Sequence, residues 1–326
     1  MSSTGNPFLV KVLVRRIGAG MSLVDTLTLV FFGYFLCRFS LVGESMERQR
    51  AMLGFLSLLV TFCSVLVLVR GQLIQSSRFR GVLYRLTLFL VHAGAFIFFF
   101  RDALICLQPA LLDSELASID RLIFGVVPAH WSVQFNSIWL TEYLSFFYLT
   151  HFIVVIYAVG PTLVTGSRDP SAVSLTTGAL MLIIAGWIVY TWVPAMGPYQ
   201  TMDFPRPLHG GVFYALTMDA VDQAGPLLDV FPSLHSAFTF FVALQVNAYA
   251  RDRFTKRMAV LFFFIDFNIV LATIYLRFHY AIDVIAGLVL AGVVHRVSLG
   301  YRARLLVPSR EKRAQPVFAD SFSVDS

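Results

Sequence analysis

Phe231-Pro232-Ser233-Leu234-His235-Ser236 and Tyr275-Leu276-Arg277-Phe278-His279-Tyr280-Ala281-Ile282-Asp283 are two polar clusters set in apolar sequence. Each stands at the edge of a stretch long and apolar enough to cross a bilayer. Ionisable groups are expensive in that setting and mark function by default. Two histidines, one carboxylate and one arginine at these spacings point to phosphoryl chemistry at a membrane surface.

The sequence around them sets the fold class. Of 326 residues, 57% are hydrophobic and 13% charged, with a mean hydropathy of +0.75, which is far from a soluble globular domain. No nucleic-acid partner is expected. Cys37, Cys63 and Cys106 are scattered through apolar runs without metal-ligand or disulfide spacing and read as packing or lipid-facing residues. Lys11, Arg15 and Arg16 precede an apolar run too long for the core of a cleavable signal.

Eight segments match the roughly 20 residues needed to cross about 30 Å of hydrocarbon. They are 21–42, 51–69, 82–106, 141–165, 173–194, 231–250, 257–276 and 279–298. Irregular backbone cannot face lipid, so these segments are expected to be helices, giving an all-α polytopic membrane protein. The last two nearly abut, which predicts a tight turn around Arg277 and Phe278. We divide the chain into an N-terminal part with two additional spans (1–81), a six-helix core (82–301) and a polar tail (302–326).

Basic residues set the expected orientation. With the N-terminus inside, 18 of the 25 Lys and Arg residues fall on the inner side, in segments around Lys11, Arg70–Arg85, Arg168, Arg251–Arg257 and Arg296–Arg313. Both termini are therefore expected in the cytoplasm. His235 and His279 then share the opposite, extracytoplasmic or lumenal, end of their spans, at one depth. Two long connections lie on that side. Residues 107–140 have the pattern of an amphipathic helix at the interface, and the Gly-, Pro- and Asp-rich residues 195–230 have the length of a lid.

The chemistry follows from placement. Pro232 and Ser233 stand where a helix begins, with Ser a favoured cap and Pro tolerated in the first turn. Free N–H groups and the positive dipole end make such a start a phosphate site. His235, in that first turn, is placed to protonate a leaving oxygen. His279 and Asp283 are four apart, so on a helix they share a face, and the carboxylate fixes the imidazole as a nucleophile that forms a phosphohistidine. Arg277 supplies a permanent cation for phosphate oxygens. A rival reading gathers two histidines and one carboxylate into a facial triad for iron or zinc. Against it, a positive helix end beside a cation is unfavourable; neither a metal nor another cofactor is expected.

The two clusters resemble the second and third signatures of the type 2 phosphatidic acid phosphatase superfamily, which includes vanadium haloperoxidases and lipid phosphotransferases. Its Pro-Ser-x-His is matched by Pro232, Ser233, Leu234 and His235, and its His-x-x-x-Asp by His279 and Asp283, with the small residue Gly287 after them. Two upstream features of the simple phosphatases are missing. No Lys-x(6)-Arg-Pro string occurs, and Ala272 and Thr273 stand where Ser-Arg is usual. Tyr190-Thr191-Trp192-Val193-Pro194-Ala195-Met196-Gly197-Pro198-Tyr199, and Asp120-Arg121-Leu122-Ile123-Phe124-Gly125 followed by Pro128, are more similar to the inositol phosphorylceramide synthase branch. That resemblance implies an inositolphosphotransferase of sphingolipid and phospholipid metabolism, moving a phosphoalcohol from a phospholipid donor to a lipid alcohol. It also makes Tyr190, Gly197, Tyr199 and Tyr275 substrate-contact candidates. The alternatives are a lipid phosphate phosphatase with water as acceptor, and a non-catalytic lipid-binding or transport protein that keeps the fold.

Other polar residues read as structural. His92, His151 and His295 are expected to pack, Glu142 to be a water-exposed interfacial carboxylate, Asp266 to be neutral or bonded to a neighbouring helix, and His209-Gly210-Gly211 to turn. Asp25, Asn247 and Asn268 are expected to join helices.

Overall fold

The computed structural model describes residues 7–108, 110–165, 169–224 and 228–306; of the expected polar tail, everything beyond Leu306 lies outside these residues. Among the described residues there are helices and no strands, with one isolated bridge between Ala195 and Asp229. In order come α1 (Pro7–Gly20), α2 (Leu23–Ser40), α3 (Met46–Arg70) and α4 (Ser77–Gly94). A π-helical turn at Ala95–Phe99 then leads into α5 (Phe100–Leu107). Next are α6 (Asp113–Phe124), α7 (Pro128–Trp131) with a 3₁₀ turn at Ser132–Phe135, α8 (Ile138–Thr165), α9 (Pro170–Tyr190), α10 (Pro198–Thr201) and α11 (Val212–Ala224). The chain closes with α12 (Leu234–Tyr249), α13 (Arg253–Tyr275) and α14 (Ala281–Leu306).

Local chemistry explains where these helices start and stop. Ser22 and Asp25 form a reciprocal capping box at α2, and Asp252 and Thr255 form another at α13. Ser45 and Ser76 accept from the backbone N–H groups of Arg48 and Phe79 at the starts of α3 and α4. Each cap satisfies donors that a helix start otherwise leaves open. Gly125, at φ 77°, ends α6 in the left-handed conformation that favours glycine.

Among the described residues seven helical segments are long and apolar enough to cross a membrane: α2, α3, α4 through α5, α8, α9, α13 and α14. The chain is a polytopic, integral membrane protein. The eighth expected span, 231–250, is α12, whose 16 residues extend about 24 Å at 1.5 Å per residue. It is shorter than expected because its leading residues, Pro232 and Ser233, are buried as non-helical backbone, an arrangement tolerated only inside protein.

The chain divides into two compact units, one of residues 1–106, 160–177 and 299–326, the other of residues 107–159 and 178–298. In the first, Phe31, Phe32, Phe35 and Phe39 of α2 pack around Phe55 of α3, all fully buried. Beside them is a buried ion pair. Arg70 donates through Nε and Nη2 to Asp25 Oδ2 at 3.0 and 2.9 Å, and the Tyr84 hydroxyl donates to Asp25 Oδ1 at 2.5 Å. Asp25 thus joins three helices, as expected. The Asn268 amide donates within its own helix, to the Phe264 carbonyl one turn back in α13.

In the second unit, α12 and α13 form an antiparallel hairpin capped by Asp252. Two apolar clusters organise the rest. One gathers Leu116 and Ala117 of α6, Val127, Ala129, Ala195, Val230 and Tyr280. The other gathers Leu144 and Tyr148 of α8, Val221 of α11, and Ala272, Tyr275, Leu276 and Phe278. Phe278 and Tyr280 therefore anchor in different clusters, and His279 is held between them.

Breaking a buried ion pair from one side strands the opposite charge. Asp25→Ala is expected to destabilise the first unit by about 3–5 kcal/mol. The check is a fall in the melting temperature of detergent-purified protein, with Asp25→Asn intermediate.

Candidate active site

The site begins where α13 stops. The Phe278 and His279 N–H groups both donate to the Thr273 carbonyl, at 3.0 and 3.1 Å, so the chain reverses sharply. That reversal puts Arg277 at φ 70°, a left-handed conformation costing a non-glycine residue roughly 1–2 kcal/mol. The Arg277 side chain offsets the strain. Its guanidinium lies 4.0 Å over the Phe204 ring, and Nη2 donates to the Arg206 carbonyl at 2.7 Å. Nε, by contrast, has no partner.

Two residues after His279, α14 begins. The expectation that His279 and Asp283 share a helix face is therefore corrected: His279 precedes the helix and Asp283 is its third residue. Asp283 Oδ2 reaches back to accept from the Tyr280 N–H at 2.8 Å, the return half of a capping box. The same oxygen lies 3.5 Å from His279 Nδ1, a long contact of the kind that tightens when substrate binds. Asp283 is fully buried and His279 nearly so.

The start of α12 is bonded to this turn. The Ser233 N–H donates to the Asp283 carbonyl at 2.9 Å. A Cβ at Gly287 would lie 2.5 Å from the Ser233 carbonyl oxygen, so only glycine lets the two helix starts approach. Ser233 occupies the cap position, as expected, but its hydroxyl makes no capping bond and lies 3.3 Å from Ser236 Oγ. The pairing of the two helix starts brings the His235 and His279 rings to 6.2 Å, centre to centre.

His235 is held on its other sides by α8. Tyr148 stacks on it at 4.5 Å and 22°, and His151, one turn later, lies 4.5 Å away. His151 packs, as expected, but against a site histidine, and its Nδ1 is buried without a partner. The signal was available: Tyr148 and His151 are three apart, on one face of a helix.

The connection 195–230 closes another side and carries two helices, α10 and α11. Gly197, at φ 83°, packs its Cα against the Phe278 carbonyl, where a Cβ would stand 2.3 Å away. The Tyr199 N–H donates to the Arg277 carbonyl at 2.6 Å, and the Tyr199 ring meets Phe278 edge-on. Glu142 is solvated, as expected, but it is also bonded. It accepts from the N–H groups of Gly211, Phe213 and Tyr214 at 2.6, 3.1 and 2.9 Å and so starts α11. The Tyr275 hydroxyl serves the start of α8, accepting from the Ser137 N–H at 3.2 Å and lying 3.1 Å from Thr141 Oγ1. Gly197 and Tyr199 thus pack on the turn at 277–278, Arg277 lies in that turn, and Ser233 stands at the start of α12, whereas Tyr275 points its hydroxyl to α8.

Three carboxylates escaped the sequence reading of roles. Asp113 accepts from the Met196 and Gly197 N–H groups and from the Tyr280 hydroxyl. Asp120 accepts from the Ala281 and Ile282 N–H groups. Asp229, six residues before His235, lies within electrostatic reach of His279, Tyr148 and Tyr190. Burial pushes the Asp229 carboxyl above its ordinary range, while its own backbone N–H and the His279 imidazole pull it down. Among the described residues no group of three or more His, Cys, Asp or Glu side chains is arranged to hold a metal ion.

A His–Asp pair thus faces a second histidine across one helix start. The sequence profile of the PAP2 superfamily matches residues 114–297, which is more than half of the chain and includes both histidines and Asp283. The chain belongs to the PAP2 superfamily. That membership supports a function of the lipid phosphatase or phosphotransferase type. Comparison with curated proteins and with solved structures returned no match.

The close approach at Gly287 gives a direct test. Gly287→Ala places a methyl group against the Ser233 carbonyl and must spread the helix starts. We expect a stability loss of about 1–3 kcal/mol and a turnover loss of about 10–100-fold from the displaced histidines. Melting and activity measured on the same preparation check both, and Gly292→Ala, where a Cβ has open space, is the control.

Proposed function

We propose that this protein is a metal-independent lipid phosphotransferase that moves a phosphoalcohol headgroup from a phospholipid to a lipid alcohol, in the manner of an inositol phosphorylceramide synthase. The observation that carries the reading is the facing pair of histidines, 6.2 Å apart, with Asp283 behind His279 alone. One phosphoryl group can touch both rings, and only His279 has the carboxylate that makes a nucleophile.

His279 Nε2 attacks phosphorus while Asp283 holds the proton on Nδ1. The N–P bond forms as the P–O bond to the diacylglycerol oxygen breaks, and His235 gives that oxygen its proton. In the second half the acceptor hydroxyl attacks the phosphohistidine, the N–P bond breaks, and His235 takes the hydroxyl proton. Protons balance over the cycle, so His235 is restored without a further donor. The Ser233 end of α12 and the Arg277 cation are the proposed phosphate contacts; Arg277 Nε is the unpartnered donor for this.

Transfer in preference to hydrolysis rests on the segments 120–128 and 190–199 and on the absence of the phosphatase Lys and Arg residues, which suits a singly charged phosphodiester. The packing of Gly197 and Tyr199 onto the turn at 277–278 supports a function for that loop at the site. The distribution of Lys and Arg supports an active site on the extracytoplasmic or lumenal face with both termini cytoplasmic.

Purified protein incubated with labelled phospholipid, with and without ceramide or diacylglycerol, tests the reading. A new phosphodiester lipid is the expected product. Water-soluble phosphoalcohol, or free phosphate when the labelled lipid is a phosphomonoester, would identify a phosphatase, and unchanged lipid a binding or transport protein. His279→Ala is expected to abolish turnover, and vanadate, which mimics five-coordinate phosphorus, to inhibit. Turnover that survives the substitution would sink the phosphohistidine.

A further inference from the structure

The buried residues of α6 are Asp113, Leu116, Ala117 and Asp120. Their spacing is that of one helix face, which normally buries only apolar side chains. Here both ends of the face are carboxylates, and Asp120 has no exposed surface at all. A buried charge is tolerated only when strong hydrogen bonds replace its water. The bonds that replace it here go to residues 280–282 and to the loop at 196–197.

Asp120 accepts from the Ala281 N–H through Oδ2 and from the Ile282 N–H through Oδ1, both at 2.9 Å. These are the first two residues of α14, immediately before Asp283. Asp113, two turns earlier on the same face, accepts from the Gly197 N–H at 2.8 Å and from the Tyr280 hydroxyl at 3.2 Å. Tyr280 also meets Thr201 Oγ1 at 3.0 Å. One short helix thus grips the residue after His279, the two residues before Asp283, and the loop packed on Phe278.

We propose that Asp120 is a positioning residue for the proposed phosphohistidine chemistry: it clamps the first turn of α14 so that Asp283 faces His279. Asp283 is itself held by one local bond, from the Tyr280 N–H. Without a second carboxylate on the next two N–H groups, the first turn of α14 is free to fray, as helix ends do. The pair then loses the angle that makes His279 a nucleophile. Asp120 touches no reacting atom and acts through the backbone of Ala281 and Ile282. Burial pushes its carboxyl above the ordinary range and the two N–H bonds only partly offset this.

The proposal rests on the phosphotransferase reading, and the test separates the two. Asp120→Asn keeps shape but presents an amide N–H₂ to the backbone donors; Asp120→Ala removes the acceptor. In full-length protein in lipid nanodiscs, amide exchange at Ala281 and Ile282 should rise by about tenfold or more in both variants, with α12 and α13 unchanged. We expect kcat to fall about 100-fold, as for misplacement by about 1 Å, with KM within about threefold of wild type. The vanadate inhibition constant should rise by a similar factor to the fall in kcat, since vanadate reports complementarity to the transition state. A structural residue would behave otherwise: less active protein lowers the maximal rate but leaves the vanadate constant alone, and that result overturns the proposal. Wild-type exchange at Ala281 and Ile282 overturns the clamp outright. If His279→Ala stays active or vanadate has no effect on the wild type, the phosphohistidine fails instead, and the exchange measurement still decides whether Asp120 holds α14.

Discussion

The backbone bond from the Ser233 N–H to the Asp283 carbonyl is the contact on which the site depends. It ties the start of one helix to the start of another, 50 residues later in the chain. Side chains adjust by rotation, but backbone bonded to backbone has little freedom, so the residues on either side inherit a fixed distance. His235 is two residues after the donor, and His279 is four before the acceptor. The glycine at 287 is the other half of the same constraint, because any Cβ there would push the Ser233 carbonyl away. Packing enforces what the bond specifies.

Around that joint the apolar clusters do a second job. Phe278 and Tyr280 bury their rings in separate clusters, so the backbone of His279 cannot twist without exposing one of them. Full burial of an aromatic ring stabilises by about 1.5–3 kcal/mol, comparable to the left-handed strain at Arg277. A strained turn is sustained here because its flanks are over-determined. The site is polar, yet the forces that shape it are mostly hydrophobic.

Much of this was legible in the chain, and the boundary has a physical reason. Hydropathy runs report burial in lipid directly, so the helices of the polytopic fold were readable as segments. Pro-Ser-x-His and His-x-x-x-Asp were readable because each marks a local feature: a helix start after Ser233, and an acid reaching back three residues to the Tyr280 N–H. What could not be read depends on partners far off in sequence. Asp120 bonds to residues 161 and 162 positions away, and Asp113 to a loop 83 and 84 positions away. Helix α11 is not legible as a helix because its start signal, Glu142, stands 69 residues before Gly211 and not beside it. A carboxylate on an amphipathic helix looks like a solvated face until the fold shows which way it turns. The 16 residues of α12 read as a full span because Phe231, Pro232 and Ser233 are apolar or small, and only the fold turns them into buried non-helical backbone.

The two helix starts are also electrically different, which assigns them different tasks. The N-terminus of α14 is met by two carboxylates, Asp283 on the Tyr280 N–H and Asp120 on those of Ala281 and Ile282. Its positive end is already neutralised, so it offers a substrate anion little. The N-terminus of α12 has no side-chain cap from Ser233. Under the proposed mechanism its dipole end is the one that meets the phosphate. In the proposed reaction that separation matters. A phosphate drawn to the start of α12 arrives beside His235, with His279 facing it across the joint and Asp283 kept off the phosphate by its own bonds. Exchanging the caps, with a carboxylate on α12 and none on α14, would repel the substrate and loosen the nucleophile together.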